Sequence, residues 1–361
     1  MCKLKYVDRS IAQGSVFAES APLLAKVEAT FSLAAEIAGD WPGARQLPFS
    51  SDGVPFSCDT MFRRELELFL HRMRQRDPQA KETAEFLART DLAVPPGPGS
   101  AREDGRFIPL RVPGGRTVRM LSRIDDGDAW TAGFLEIFRK GLTEPDSRYG
   151  VVPATDGEAS AVAEAVELLA RVLPETTASV LSHLAFIGVV EGPGAFESAS
   201  DRKVPRAVFI NRCALDDVPR TAEALLHECV HQKLYDIQLV HPIYRAGYDA
   251  GTAAVIRPSW HENAAWSFDR ALAAAHVYVH LAALYTVLGH RQDSVARGVD
   301  TVTGRARTAE RARFLLAAVA GLPSEAGPAG VRFIEWLMAR LRQIEDCPAK
   351  GATQSHVQGA R

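Results

Sequence analysis

Along most of the chain, apolar residues recur at the three-and-four spacing of a helix with one buried face. Ser20–Ala38 opens on a serine suited to cap a helix, has Pro22 in its first turn, and carries Leu23, Leu24, Val27, Phe31, Leu33 and Ile37 at mixed spacing. Met61–Arg76 puts Phe62, Leu66, Phe69, Leu70 and Met73 on one face, and Asp77-Pro78 restarts a helix behind it. Glu158–Leu173 has the stripe Val162, Ala165, Val166, Leu169, Val172 and Leu173, with Pro174 as its stop. A further helix is predicted from near Asp217, an N-cap with Pro219 in the first turn, to about Leu239. A long one follows from about Trp260 to Leu288, then Thr303–Ala320 and Glu325–Ile344, divided by Gly321-Leu322-Pro323. Strand-like patterning is confined to short pieces. Phe107–Val112 and Arg116–Leu121 flank Pro113-Gly114-Gly115 as a hairpin, and His183–Val190 and Ala207–Asn211 read as strands around a polar loop, Glu191–Lys203. The fold class that follows is α+β, predominantly α-helical, with a small β-sheet.

Breaker residues divide this pattern. The run Val94-Pro95-Pro96-Gly97-Pro98-Gly99-Ser100 predicts a linker over 94–104, between a helical N-terminal region, 1–93, and a domain over 105–347, with a frayed tail at 348–361. The 361 residues are 47% hydrophobic and 24% charged, ordinary for a globular chain, and a net charge of −2 argues against nucleic acid or an anionic membrane as partner. Five scattered cysteines without a CxxC pair form no disulfide framework, and the first residues lack an apolar signal core, so a cytoplasmic setting is expected. Ala271–His290 has no formally charged residue and the length of a bilayer span, but its alanines and His276, His280 and Tyr285 predict a buried core helix instead.

Histidine is unevenly used. Seven of the ten histidines fall between His227 and His290. Within that window Leu226-His227-Glu228-Cys229-Val230-His231 is an HExxH motif on a predicted helix, where residues i and i+4 share a face and both imidazoles can reach one metal ion. Glu228 stands where it can reach a water on that metal or bond a ligand, whereas two surface histidines with no ion is the bland alternative. The stripe Ala222, Leu225, Leu226, Cys229, Val230 and Leu234 should bury one side of the helix, so Cys229 reads as core and not as a nucleophile. Leu234 and Ile237 exclude the extended HExxHxxGxxH form, so a third ligand must come from downstream: Glu262, in a gluzincin-like arrangement with Zn(II), or His280, in a three-histidine site. Arg257 and Arg270 are candidates to clamp a carboxylate, and Tyr235, Tyr244, Tyr248 and Tyr278 are expected mainly to fill space.

The segment Ala222–Leu234 and a second block, Ala275-His276-Val277-Tyr278-Val279-His280-Leu281, resemble the HExxH-motif peptide-modification family, with its L-x-H-E-x-x-H-x-K-L and Y-x-H-L segments. The likeness covers about residues 155–290, and Arg257–Glu262 corresponds only loosely to the family's Trp-Arg-rich stretch. It implies a zincin-like HExxH helix beside the small sheet, and Fe(II)- and 2-oxoglutarate-dependent hydroxylation of the β-carbon of a residue in a ribosomally made peptide. It further implies His227, His231 and His280 as metal ligands, Glu228 as a ligand or a group behind the ligands, and an arginine for 2-oxoglutarate. A zinc metallopeptidase, or a scaffold retaining a metal-stapled helix pair, are the other readings of the same residues.

Overall fold

The computed structural model describes residues 2–39, 60–83, 107–124, 129–142, 149–192, 197–261, 264–291 and 299–348. The expected linker at 94–104 and all but the first residue of the expected tail lie outside them. The fold is α+β and mostly helical, as the periodicity predicts. Two compact units are each assembled from separate stretches of chain: Met1–Glu19 with Glu167–Ser179 and Ile237–Arg361, and Ser20–Val166 with Val180–Asp236.

The first of these units is helical. Its central helix α8 (Phe268–His290) packs against α9 (Thr301–Ala320) and α10 (Pro328–Glu345), and α1 (Cys2–Ala12) lies against α8 and α10. α8 is apolar nearly all round, which is why neighbours cover it, and Ala271, Leu272, Ala275, Val279 and Ala282 are wholly buried. Gly304 of α9 lets the Tyr285 ring approach where any side chain would clash. α8 is also long and apolar enough to cross a membrane, yet 83% of its most apolar stretch is buried in the protein. It begins at Phe268, eight residues later than the apolar pattern predicts. Ile256 and Trp266 exchange both backbone hydrogen bonds (2.8 and 2.9 Å) as an isolated bridge, which holds Trp266 extended.

The other unit is built on a mixed sheet. β1 (Phe107–Val112) and β2 (Arg116–Leu121) form the expected hairpin, in register Phe107↔Leu121, and Gly114 and Gly115 supply the positive φ its turn requires. Strand order is β1-β2-β4-β6-β5, with β4 (Phe186–Glu191) parallel to both β2 and β6 (Ala207–Asn211). β3 (Gly150–Val152) pairs with the second half of β4, and β5 (Ser198–Ala199) runs antiparallel on β6. β6 is buried at every position and β4 at all but its last, as expected of strands covered on both faces. Phe134 and Phe138 of α4 (Ala129–Leu142) pack on Phe186 and Phe209, with ring centroids 4.5 and 4.7 Å apart. α2 (Ser20–Gly39) and α3 (Thr60–Gln75) complete the unit.

Several boundaries move. β4 starts at Phe186 because the N–H groups of His183 and Leu184 are held in turns by Val180 and Leu181 (both 3.1 Å). Pro174 does end α5 (Asp156–Val172), but it also opens α6 (Pro174–Leu181), whose first-turn N–H groups at Glu175 and Thr176 donate to the Asp8 carboxylate, each at 2.9 Å. α10 opens at Pro328, after a short 3-10 turn at Pro323–Glu325.

Candidate metal centre

Helix α7 (Val218–Val240) carries the HExxH motif. Its start follows the sequence: the Asp217 carboxylate accepts the Arg220 N–H at 3.0 Å, and Pro219 occupies the first turn. The stripe Ala222, Leu225, Leu226, Cys229, Val230 and Leu234 is buried, with only Ala222 as much as 1% exposed. Burial raises the Cys229 thiol far above its ordinary range, as fits a core cysteine. Gln232 fastens the helix to the sheet at two points: its amide oxygen accepts the Arg206 N–H (2.6 Å) and its amide nitrogen donates to the Ala207 carbonyl (2.9 Å).

One turn of this helix brings three potential ligands together. His227, Glu228 and His231 offer ligand atoms that all lie within 4.8 Å of one another. The imidazole centroids are 5.0 Å apart, and His227 Nε2 is 4.0 Å from Glu228 Oε1. His231 Nδ1 is buried and has no hydrogen-bond partner among the described residues. Burial, and after it the neighbouring His227, pulls the His231 imidazole down to about 3, so it is neutral near pH 7, the form in which imidazole binds metal. Two imidazoles beside a carboxylate are the donor set that divalent first-row ions take, so the residues fit a metal.

Glu228 is buried, and both carboxylate oxygens are held. Ser198 Oγ donates to Oε1 at 2.7 Å and Ser200 Oγ to Oε2 at 2.6 Å. Strand β5 explains the pair: residues two apart in an extended segment point the same way, so Ser198 and Ser200 both face the helix. Tyr235 lies one turn beyond His231, its ring stacked at 6.3 Å and its hydroxyl bonded with Ser200. Burial, then the charges of Asp201 and Glu228, raise that phenol above its ordinary range. The two serines went unrecognised in the sequence, where they fall in a segment read as a polar loop. The alternation Ser-Ala-Ser at 198–200 is the one signal that points to them.

No family model matches this chain, and none of the curated proteins does.

The remaining predicted site residues lie in the helical unit. His276 and His280 are buried on α8, with ring centroids 4.7 Å apart, and His280 Nδ1 is 2.9 Å from the His276 carbonyl. That bond fixes the proton on Nδ1 and leaves Nε2 as the acceptor or ligand atom. Glu262 lies outside the described residues. Arg257 is exposed, and Arg270 lies over the Trp266 ring at 5.2 Å. Three of the tyrosines have internal partners. Tyr244 stacks on Tyr248 at 4.7 Å, Tyr248 donates to Asp269 at 2.7 Å, and Tyr278 lies 3.2 Å from the Arg311 guanidinium.

Proposed function

We propose that His227 and His231 hold a divalent metal ion, and that the protein is an Fe(II)/2-oxoglutarate-dependent hydroxylase acting on a peptide side chain. The observation that carries the metal centre is the convergence of His227, Glu228 and His231 on one turn of α7, with His231 Nδ1 buried and lacking a hydrogen-bond partner among the described residues. The choice of iron rests on the resemblance in the two histidine blocks. Bound there, Fe(II) with 2-oxoglutarate and dioxygen supplies the oxidising power to hydroxylate an unactivated C–H bond. The chain's own groups do the positioning. His227 and His231 fix the ion against the sheet through the Gln232 clamp, and Glu228, held by Ser198 and Ser200, orients a group bound beside them.

One observation favours a second reading, zinc-dependent peptide hydrolysis. A buried carboxylate fixed beside two imidazoles is also where a hydrolytic base stands. One assay separates the two. Purified protein is incubated with Fe(II), 2-oxoglutarate and a peptide library: succinate together with a peptide heavier by one oxygen supports hydroxylation. Shortened peptides formed with zinc and without dioxygen support hydrolysis, and bound metal with neither product leaves a scaffold.

A further inference from the structure

The sheet unit contains a second polar line that uses none of the metal-centre residues. Ser20 Oγ lies 2.9 Å from His183 Nε2, and His183 Nδ1 lies 2.5 Å from Asp236 Oδ2. The carboxylate places the imidazole proton on Nδ1, so the Nε2 lone pair faces the serine hydroxyl, the arrangement that makes a serine nucleophilic. The other Asp236 oxygen takes Arg63 Nη2 at 2.5 Å. Burial opposes ionisation of Asp236, but Arg63 and His183 overcome it and hold the carboxyl below its ordinary range. His183 itself is pulled down by burial to about 4, against the pull of Asp236, and is therefore a neutral base near pH 7. Ser20 is the first residue of the 20-residue helix α2. Ser20 is 8% exposed, and its chain neighbours Glu19, Ala21 and Pro22 are exposed.

We propose that Ser20, His183 and Asp236 form a second reactive centre, in which Ser20 accepts the acyl group of a small activated ester. Ser20 Oγ bonds to the carbonyl carbon while its proton moves to His183 Nε2. The ester C–O bond then breaks, the leaving alcohol carries that proton away, and the acyl group remains as an ester of Ser20. Water, losing a proton to the same Nε2, hydrolyses this ester and restores the serine. Arg63 is a positioning residue that holds the carboxylate, and the centre requires no metal.

The test uses the full chain with a fluorophosphonate probe, which serine attacks with loss of fluoride, and p-nitrophenyl acetate as acyl donor. Mass spectrometry is expected to find the phosphonyl group on Ser20, and Ser20→Ala to reduce labelling to background and nitrophenol release at least a hundredfold. Both should be unchanged by a chelator that strips the metal centre, so the two proposals fail separately. Folded protein left unlabelled at Ser20, or an alanine variant that releases nitrophenol as fast, overturns the assignment. A Ser20→Cys variant provides the check that preserves packing: its thiol should be alkylated by iodoacetamide at least tenfold faster than the exposed Cys213, and equal or slower alkylation overturns the proposal.

Discussion

Helices α7 and α8 are each 23 residues long, and each presents two histidines four residues apart. On both, the rings meet at about the same separation, 5.0 Å for His227–His231 and 4.7 Å for His276–His280. The similarity stops there. The His227 side chain is 38% exposed, its chain neighbour is a carboxylate fixed by two hydroxyls, and His231 Nδ1 is buried without a hydrogen-bond partner among the described residues. On α8 both histidines are at most 1% exposed, the residue after His276 is valine and not a carboxylate, and the His280 Nδ1 bond goes to the helix's own backbone. Helical spacing therefore makes a pair of imidazoles common property of the two elements. The surroundings, and not the spacing, distinguish the pairs: a held carboxylate and partial exposure on α7, full burial among apolar neighbours on α8.

The contrast can be broken most severely at α7. His227→Ala and His231→Ala should each reduce bound Fe(II) or Zn(II) to background by elemental analysis, with the fold retained by circular dichroism. Metal retained in either variant removes the α7 pair as the site. On α8 the two histidines can be compared directly. His280→Ala tests the third ligand that the resemblance implies: a loss of metal affinity by calorimetric titration beyond the 10–100-fold typical of groups behind the ligands would support it. His276→Ala should keep the metal and lose about 2 kcal/mol of stability, the scale of a cavity and broken contacts in a core. Equal metal affinity in both would exclude His280 as a ligand. Glu228→Gln sharpens the role of the carboxylate: metal content should persist while turnover falls at least ~100-fold, the range of a lost acid–base or orienting group. Loss of the metal would instead mark Glu228 as a ligand.

A further effect concerns acid. His183 is pulled down from 6.5 to about 4 in the folded chain, so the unfolded chain binds the extra proton between those values. Its contribution is complete above pH 6.5 and is lost as pH falls toward 4, by up to about 3 kcal/mol. Urea titrations at pH 7 and pH 4.5 should show this decline, and stability that rises on acidification over that range would contradict the buried neutral imidazole.

The sequence makes the helices legible wherever one face is apolar, and the hairpin legible through its Pro-Gly-Gly turn. The motif helix is placed to within a residue by Asp217, Pro219 and the stripe from Ala222 to Leu234. What it hides depends on partners far along the chain. The apolar content of α8 extends back to Trp260, but a pairing of Trp266 with Ile256 keeps Trp266 out of the helix. Ser198 and Ser200 acquire meaning only once β5 pairs with β6 and faces Glu228, 30 and 28 residues away. The line from Ser20 through His183 to Asp236 spans separations of 163 and 53 residues, which no local pattern encodes.

Gln232 is the immediate neighbour of His231, and its amide is matched to the backbone it grips: one acceptor for Arg206 N–H, one donor for the Ala207 carbonyl. Glutamate has the same shape but no N–H to offer. A Gln232→Glu chain would set a negative oxygen against a carbonyl in a dry interior, and the helix would be released from its strand at the residue beside a proposed ligand. A single nitrogen–oxygen exchange thus couples the anchoring of α7 to the alignment of its imidazoles, so a chain altered there should lose order around the motif before the rest of the sheet unit yields.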